Sequence, residues 1–333
     1  MLRFEVGTDD LLRSRFALSP AFELCTLLHV LSGDLPHRPL PARWAARLRP
    51  AFQRLRAQTE LDAVLALQNS SFGANFIAPP PTAGLAQSWA DDLAATLATP
   101  LDSARAEIAD CLAAKPSVSP VAARVLASPE VVRRVGTAMD QAWHALLAPD
   151  WPQLRAICER DVVHRAGRLA RHGWAAALDG LHSRLRWRDD GIELLDRSRT
   201  RVVPLAGEGL LLVPSVFTHP QIAAHADEPW PKAIIYPARG TAALWQSPAE
   251  HAPDALAELL GRSRARLLSA LAEPAGTTQL ARSLGMAPGA VGDHLAVLLH
   301  AGLLRRARDG RTVLYYRTPV AEALLGAAGA ESP

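Results

Sequence analysis

Residues 277–318 read TTQLARSLGM, then APGAVGDHLAVLLHAGLL, then RRARDGRTVLYYRT, and the apolar spacing changes at each join. In the first run Leu280, Ala281 and Leu284 fall on one face of a helix, with Thr277 as its expected N-cap. Gly285 supplies the left-handed residue that ends such a helix. Pro288 opens a second helix whose Val291, Leu295, Leu298 and Leu299 face inward. Its outward positions are Gly289, Ala290, Gly292, Asp293 and His294. Across the last join, Leu304–Arg308 and Arg311–Tyr316 flank Asp309-Gly310, a strong short-range signal for a hairpin.

Two helices joined by a tight turn and followed by a basic hairpin form a winged helix-turn-helix. That order of elements places one helix in the major groove and a ribbon over the flanking phosphates. The candidate recognition helix covers about 288–301 and the candidate wing 304–317. Small outward groups at Pro288, Gly289, Ala290 and Gly292 would let the helix backbone approach the bases, with Asp293 and His294 as its polar groups. Thr277, Thr278 and Gln279 open the preceding helix and complete the candidate DNA-binding set on that side. Arg305, Arg306, Arg308, Arg311 and Arg317 stand against a single Asp309, the most basic patch of the chain, and are expected on phosphates. The competing readings are a packed helical bundle with a solvated hairpin, a winged helix that serves only protein interaction or dimerisation, and an enzyme carrying an accessory winged helix.

Bulk properties narrow the class without deciding it. The chain has 333 residues, 49% of them hydrophobic and 21% charged, which fits a folded protein of one large or two ordinary domains. A formal net charge of +3 is too weak to argue for a nucleic-acid partner by itself. Cys25, Cys111 and Cys158 are odd in number, far apart and without CxxC spacing, which argues against a disulfide framework and fits a reducing cytoplasm. MLRFEVGTDD lacks the basic-then-apolar pattern of a secretory leader, and no stretch approaches the length of a membrane span, so a cytoplasmic protein without membrane contact is expected.

Upstream, Leu2–Val6 alternates as a strand, and Ser19-Pro20 caps a helix that stops at Gly33. LPHRPLPARW is expected to be a loop, and helical spacing dominates from about Trp89 to Leu181. Ser128-Pro129-Glu130 and Asp150-Trp151-Pro152 read as helix starts, with Gly173 as a stop. The texture changes at Arg184: RLRWRDDGIELLD, TRVVPL, GLLLVPSVF and KAIIYPAR read as strands. The fold class expected is α+β, with a large helix-rich N-terminal domain built on a mainly antiparallel sheet (1–247) and a C-terminal winged helix-turn-helix (248–333). The linker SPAEHAPD joins them.

Residues from about Ala255 to Thr318 resemble the winged helix of ArsR/SmtB-type bacterial transcriptional repressors. LARSLGMAPGAVGDHLAVLLHAGLL and the RRARDGRTVLYYR wing carry the resemblance. It implies a DNA-binding regulator, a repressor, paired as a homodimer on double-stranded DNA. The common recognition-helix form Ser-Gln-His-Leu is Gly292-Asp293-His294-Leu295 here, so the last two positions match and the first two depart. Asp293 cannot make the bidentate adenine contact of a glutamine, and could accept from cytosine N4. The N-terminal part also looks similar to an uncharacterised domain that accompanies such winged helices, through RFEVGTDDLLRSRFALSP, LLLVPSVF and IIYPARGTAALW. Metal-sensing members use Cys pairs on the first helix of the motif or Asp/His sets on a C-terminal helix. TTQLARSLGM has no Cys and PVAEALLGAAGA only Glu322, so no metal site and no cofactor are expected.

No G-x-S-x-G, G-x-x-x-x-G-K-[ST] or H-E-x-x-H is present, and GEGLLLV lacks the helix opening of a dinucleotide site, so no catalytic residues are expected. His164 and His172 lie eight apart, with His144 and His182 elsewhere, among arginines that would repel a cation. Of Trp143, Trp151, Trp174, Trp187, Trp230 and Trp245, the pair Trp230 and Trp245 brackets the strand at Ile234–Tyr236. These two are the candidate residues for binding a small-molecule effector, should the domain be a sensor.

Overall fold

The structure, a computed structural model, describes residues 1–33, 40, 42–68, 73–114, 118–188, 191–195, 201–218, 220–241, 254–271, 274–309 and 312–329. The chain divides into two compact units. One comprises Met1–Trp151 with Gly167–Ala238, the other Pro152–Ala166 with Arg239–Pro333. The boundary expected at 247/248 falls outside the described residues.

The first unit is helix-rich and α+β. Ser19 caps α2 (Pro20–Ser32) by accepting from the Phe22 N–H at 3.1 Å, and Gly33 ends it at φ 85°. Helix α1 (Thr8–Arg13) precedes it, and α3 (Ala42–Gln58), α4 (Leu61–Ala66), α5 (Trp89–Leu97), α6 (Leu101–Ala114), α7 (Pro120–Leu126) and α8 (Val131–Ala142) follow. Helix α9 (Trp151–Leu178) gives its first half to the other unit. The stop expected at Gly173 is a break inside it, at φ 77° and ψ −176°, after which helix resumes.

Two mixed sheets replace the single mainly antiparallel sheet that the strand pattern suggests. The first has the order β3 (Leu185–Arg188), β4 (Gly191–Leu194), β1 (Leu2–Glu5), β5 (Arg201–Pro204), and the second β2 (Arg15–Phe16), β6 (Leu211–Ser215), β8 (Ala233–Pro237), β7 (Ala223–His225). Three of these pairings are parallel, β1 with β5, β2 with β6 and β6 with β8. The reason is visible in the residues. LLLV and AIIY are buried on both faces, Leu212, Ile234 and Tyr236 toward one core cluster and Leu211, Val213 and Ile235 toward another. Strands covered on both sides are continuously apolar and suit parallel pairing.

The second unit centres on α10 (Asp254–Leu260), α11 (Arg262–Ala270), α12 (Thr277–Leu284) and α13 (Pro288–His300). These are followed by the hairpin β9 (Leu304–Asp309) and β10 (Thr312–Arg317) and by α14 (Pro319–Gly329). Leu267, Leu268, Leu280, Val291, Leu295 and Leu298 form its core. Each is an apolar position at helical spacing, and burying them together is what holds three short helices that would be marginal alone. Among the described residues no helix is long and apolar enough to cross a membrane.

Candidate nucleic-acid interface

The turn between α12 and α13 is built by Gly285 at φ 65°, with the Met286 N–H donating to the Ala281 carbonyl at 2.9 Å. An L-residue with a side chain would be strained there. The N-cap of α12 is Gly276, not Thr277, which is its first helical residue. Gln279 accepts from the Gly276 N–H at 3.4 Å, so its side-chain oxygen turns back on its own helix. Thr278 is exposed and Thr277 half-buried.

Two carbonyls at the end of α12 are satisfied by residues that no local pattern marks. Arg266 donates to the Leu284 oxygen at 3.2 Å, and Gln153, on the first half of α9, donates to the Ser283 oxygen at 3.4 Å. The last carbonyls of a helix have no partner within it, and here side chains 18 and 130 positions away supply them.

Pro288 occupies the first turn of α13, and Gly289, Ala290 and Asp293 are exposed, while Gly292 and His294 are half-buried. A Cβ added at Gly289 or at Gly292 would meet nothing within 4 Å. Neither glycine has a positive φ. Their own fold therefore does not require them, although glycine inside a helix costs up to about 1 kcal/mol relative to alanine. They leave the outer face of α13 smooth around Asp293.

The hairpin places Arg305 opposite Tyr316, Arg306 opposite Tyr315 and Arg308 opposite Val313. Successive residues of a strand point to opposite faces. Arg306 and Arg308 therefore share the face of Leu304 and Tyr315, while Arg305 points to the other. All three are exposed. Gly310 and Arg311, at the expected tip, lie outside the described residues.

Arg317 is placed differently from its expected phosphate contact. Its Nε donates to the Leu268 carbonyl at 2.8 Å and its Nη2 to the Ser269 carbonyl at 2.5 Å, both in the last turn of α11. Nη1 faces Glu322 of α14 at 3.2 Å, and the side chain is 12% exposed. A guanidinium with every arm engaged inside the unit is committed to the fold.

The weaker candidates outside the winged helix divide between the two units. The Trp230 indole donates to Glu107 at 2.7 Å, so its polar handle is used within the protein, and Trp245 lies outside the described residues. His182 contacts the Pro220 carbonyl at 2.8 Å, and His164 meets the Arg239 guanidinium. Among the described residues no group of three or more His, Cys, Asp or Glu gathers as metal ligands would. Burial pushes the Cys25 thiol up to about 12 and the Cys111 thiol up to about 11, far from a reactive thiolate.

Residues 262–306 match the family described as bacterial regulatory protein, arsR family, which covers α11 through the first residues of β9. Residues 56–242 match a second family, described only as a family of unknown function (DUF5937). No curated protein and no solved structure matches the chain. The arsR-family domain makes the protein a DNA-binding transcription regulator in kind. With more than half of its length matched by the other family, the chain belongs to the family of unknown function DUF5937, here joined to a C-terminal arsR-type winged helix.

Proposed function

We propose that this protein is a sequence-specific transcriptional repressor that binds duplex DNA as a homodimer. The observation that carries the reading is the pairing of a smooth exposed face on α13 with the exposed arginines of the adjoining hairpin. Helix α13 enters the major groove through Gly289, Ala290 and Gly292, and Asp293 and His294 present the polar groups that reach base edges. Arg305, Arg306 and Arg308 meet phosphates and set the register. Asp293 favours a cytosine N4 donor and disfavours acceptor-rich edges, so it acts on specificity partly by repulsion.

Pairing through α10 and α14 explains two exposed apolar side chains. These helices pack against each other, and Leu259 is 68% and Val320 63% exposed. A two-fold dimer imposes a pseudopalindromic operator and doubles the phosphate contacts. Repression follows from occupying a promoter. The DUF5937 part has no catalytic role in this reading; it biases the dimer geometry, with a small molecule as the signal if it favours one geometry over another.

The test is selection of bound duplexes from a random pool at two salt concentrations. Enriched half-sites about one helical turn apart are the expected outcome. A pool that stays random at both salts argues for non-specific binding or for an interaction module instead.

A further inference from the structure

Arg317 ties three elements together. Its guanidinium holds the last-turn carbonyls of α11 at Leu268 and Ser269, and it faces Glu322 of α14, while its backbone ends β10 opposite Leu304. A cation at a helix C-terminus is favourable, and a planar fork fits two adjacent carbonyls as an ammonium cannot. Leu303, Leu304 and Tyr315 pack into the core of the unit, the Thr318 hydroxyl donates to the Gly302 carbonyl at 2.8 Å, and backbone bonds add to these ties. Tyr315 and Ala275 exchange N–H donors at 3.0 and 3.3 Å, and the Thr318 N–H donates to the Leu303 carbonyl at 3.1 Å.

These ties hold the start of the ribbon, and Arg317 is the charged side chain that joins it to the end of α11 and to α14 together. A two-stranded ribbon by itself is only marginally stable in water, so the angle of the wing is set by the contacts at its base. From Arg317 to Thr312 the arm is roughly 17 Å long, so a roll of about 10° at the base carries the far end roughly 3 Å. A hydrogen bond to a phosphate does not survive such a shift.

We propose that Arg317 is a positioning residue for DNA binding. It fixes the angle of the wing and thereby decides whether Arg305, Arg306 and Arg308 reach phosphates together. This rests on the DNA-binding reading above and deepens it, because the most buried of the wing's described arginines would act without touching DNA.

The experiment uses the full chain, a fluorescent mixed-sequence duplex, and salt from about 50 to about 200 mM. Arg317→Ala, Arg317→Lys and Glu322→Gln are compared, each at a temperature where its melting curve shows it folded. A positioning role predicts that Arg317→Lys, which preserves charge, lowers the slope of log affinity against log salt by about 2 to 3, because several wing arginines lose contact at once. Arg317→Ala lowers it similarly, and Glu322→Gln weakens binding.

A directly contacting Arg317 gives the opposite pattern. Arg317→Lys then keeps the slope, Arg317→Ala lowers it by about 1, and Glu322→Gln tightens binding by freeing the guanidinium. That pattern, or three variants that bind as the parent does, overturns the inference. A parent protein with no salt-dependent binding removes the DNA-binding reading itself, and that failure is told apart because it needs no variant.

Discussion

The guanidinium of Arg305 lies 5.7 Å from the centre of the Tyr316 ring, directly across the hairpin. A cation held over an aromatic face is ordered before it meets any ligand, at a gain of about 0.5–1 kcal/mol when exposed. Arg305 has therefore already lost part of its rotamer entropy in the free protein.

That ordering should be measurable as coupling. Tyr316→Leu should weaken duplex binding about two- to fivefold, and should do so only while Arg305 is present. A double-mutant cycle with Arg305→Ala checks it. Additive effects of the two changes would mean the ring does nothing for binding.

The glycines of α13 trade stability for a smooth surface. Gly292→Ala should raise the stability of the C-terminal unit by about 0.5–1 kcal/mol, since the added methyl meets no protein atom. The same change should reduce affinity for the selected operator. Thermal melting and a binding isotherm on the same preparation test this; a variant that is both more stable and an equal binder would show that the face does not touch DNA closely.

Acidity should act on the N-terminal unit through two buried carboxyls and the half-buried His225. Burial raises Glu23 to about 7, although it accepts from the Val216 and Phe217 N–H groups at 2.6 and 3.3 Å. Burial likewise raises Asp92 to about 7, although it accepts from the Ala21 N–H at 2.7 Å and from Gln87 at 2.6 Å. Between the ordinary carboxyl range and about 7 the folded chain binds more protons than the unfolded one at both sites. Stability from these two groups therefore rises as pH falls through that window, each by up to about 1.4 kcal/mol per pH unit.

His225 opposes them: burial lowers it from 6.5 to about 4, so its contribution is lost as pH falls below 6.5. Glu23→Gln with Asp92→Asn should reverse the slope of urea midpoint against pH between 5 and 6.5 (window set by those shifts). An unchanged slope in that double variant would refute the assignment.

Pairing should depend on the exposed apolar groups of α10 and α14. Leu259→Asp with Val320→Asp should shift the protein from dimer to monomer in analytical ultracentrifugation while the monomer stays folded, with a melting temperature that no longer depends on protein concentration. Affinity for a palindromic duplex should fall far more than affinity for a half-site. A double variant that sediments as the parent protein does would place the dimer contact elsewhere.

Much of the winged helix was legible locally. Leu280, Gly285, Pro288, Val291 and Leu295 repeat at intervals set by one helix or one turn, and such intervals are readable without knowing the rest of the chain. The strands LLLV and AIIY were legible as apolar runs, but periodicity does not say which neighbour a doubly buried strand takes. Their parallel pairing, and the two-residue strand Arg15–Phe16 beside them, emerged only with the sheet.

Side-chain roles separate along the same line. Local pattern was enough to place five arginines beside a helix-turn-helix, because charge and a hairpin turn are properties of adjacent residues. It could not distinguish Arg305, which stays exposed, from Arg317, which spends its donors on Leu268, Ser269 and Glu322. The difference is set by carbonyls about 50 residues upstream and a carboxylate on the next helix, and only packing brings these to one guanidinium. Trp230 is similar: its indole looked available for a ligand until the fold set Glu107 beside it. Donor and acceptor types are written in the residues, but who satisfies whom is decided by the three-dimensional competition for partners.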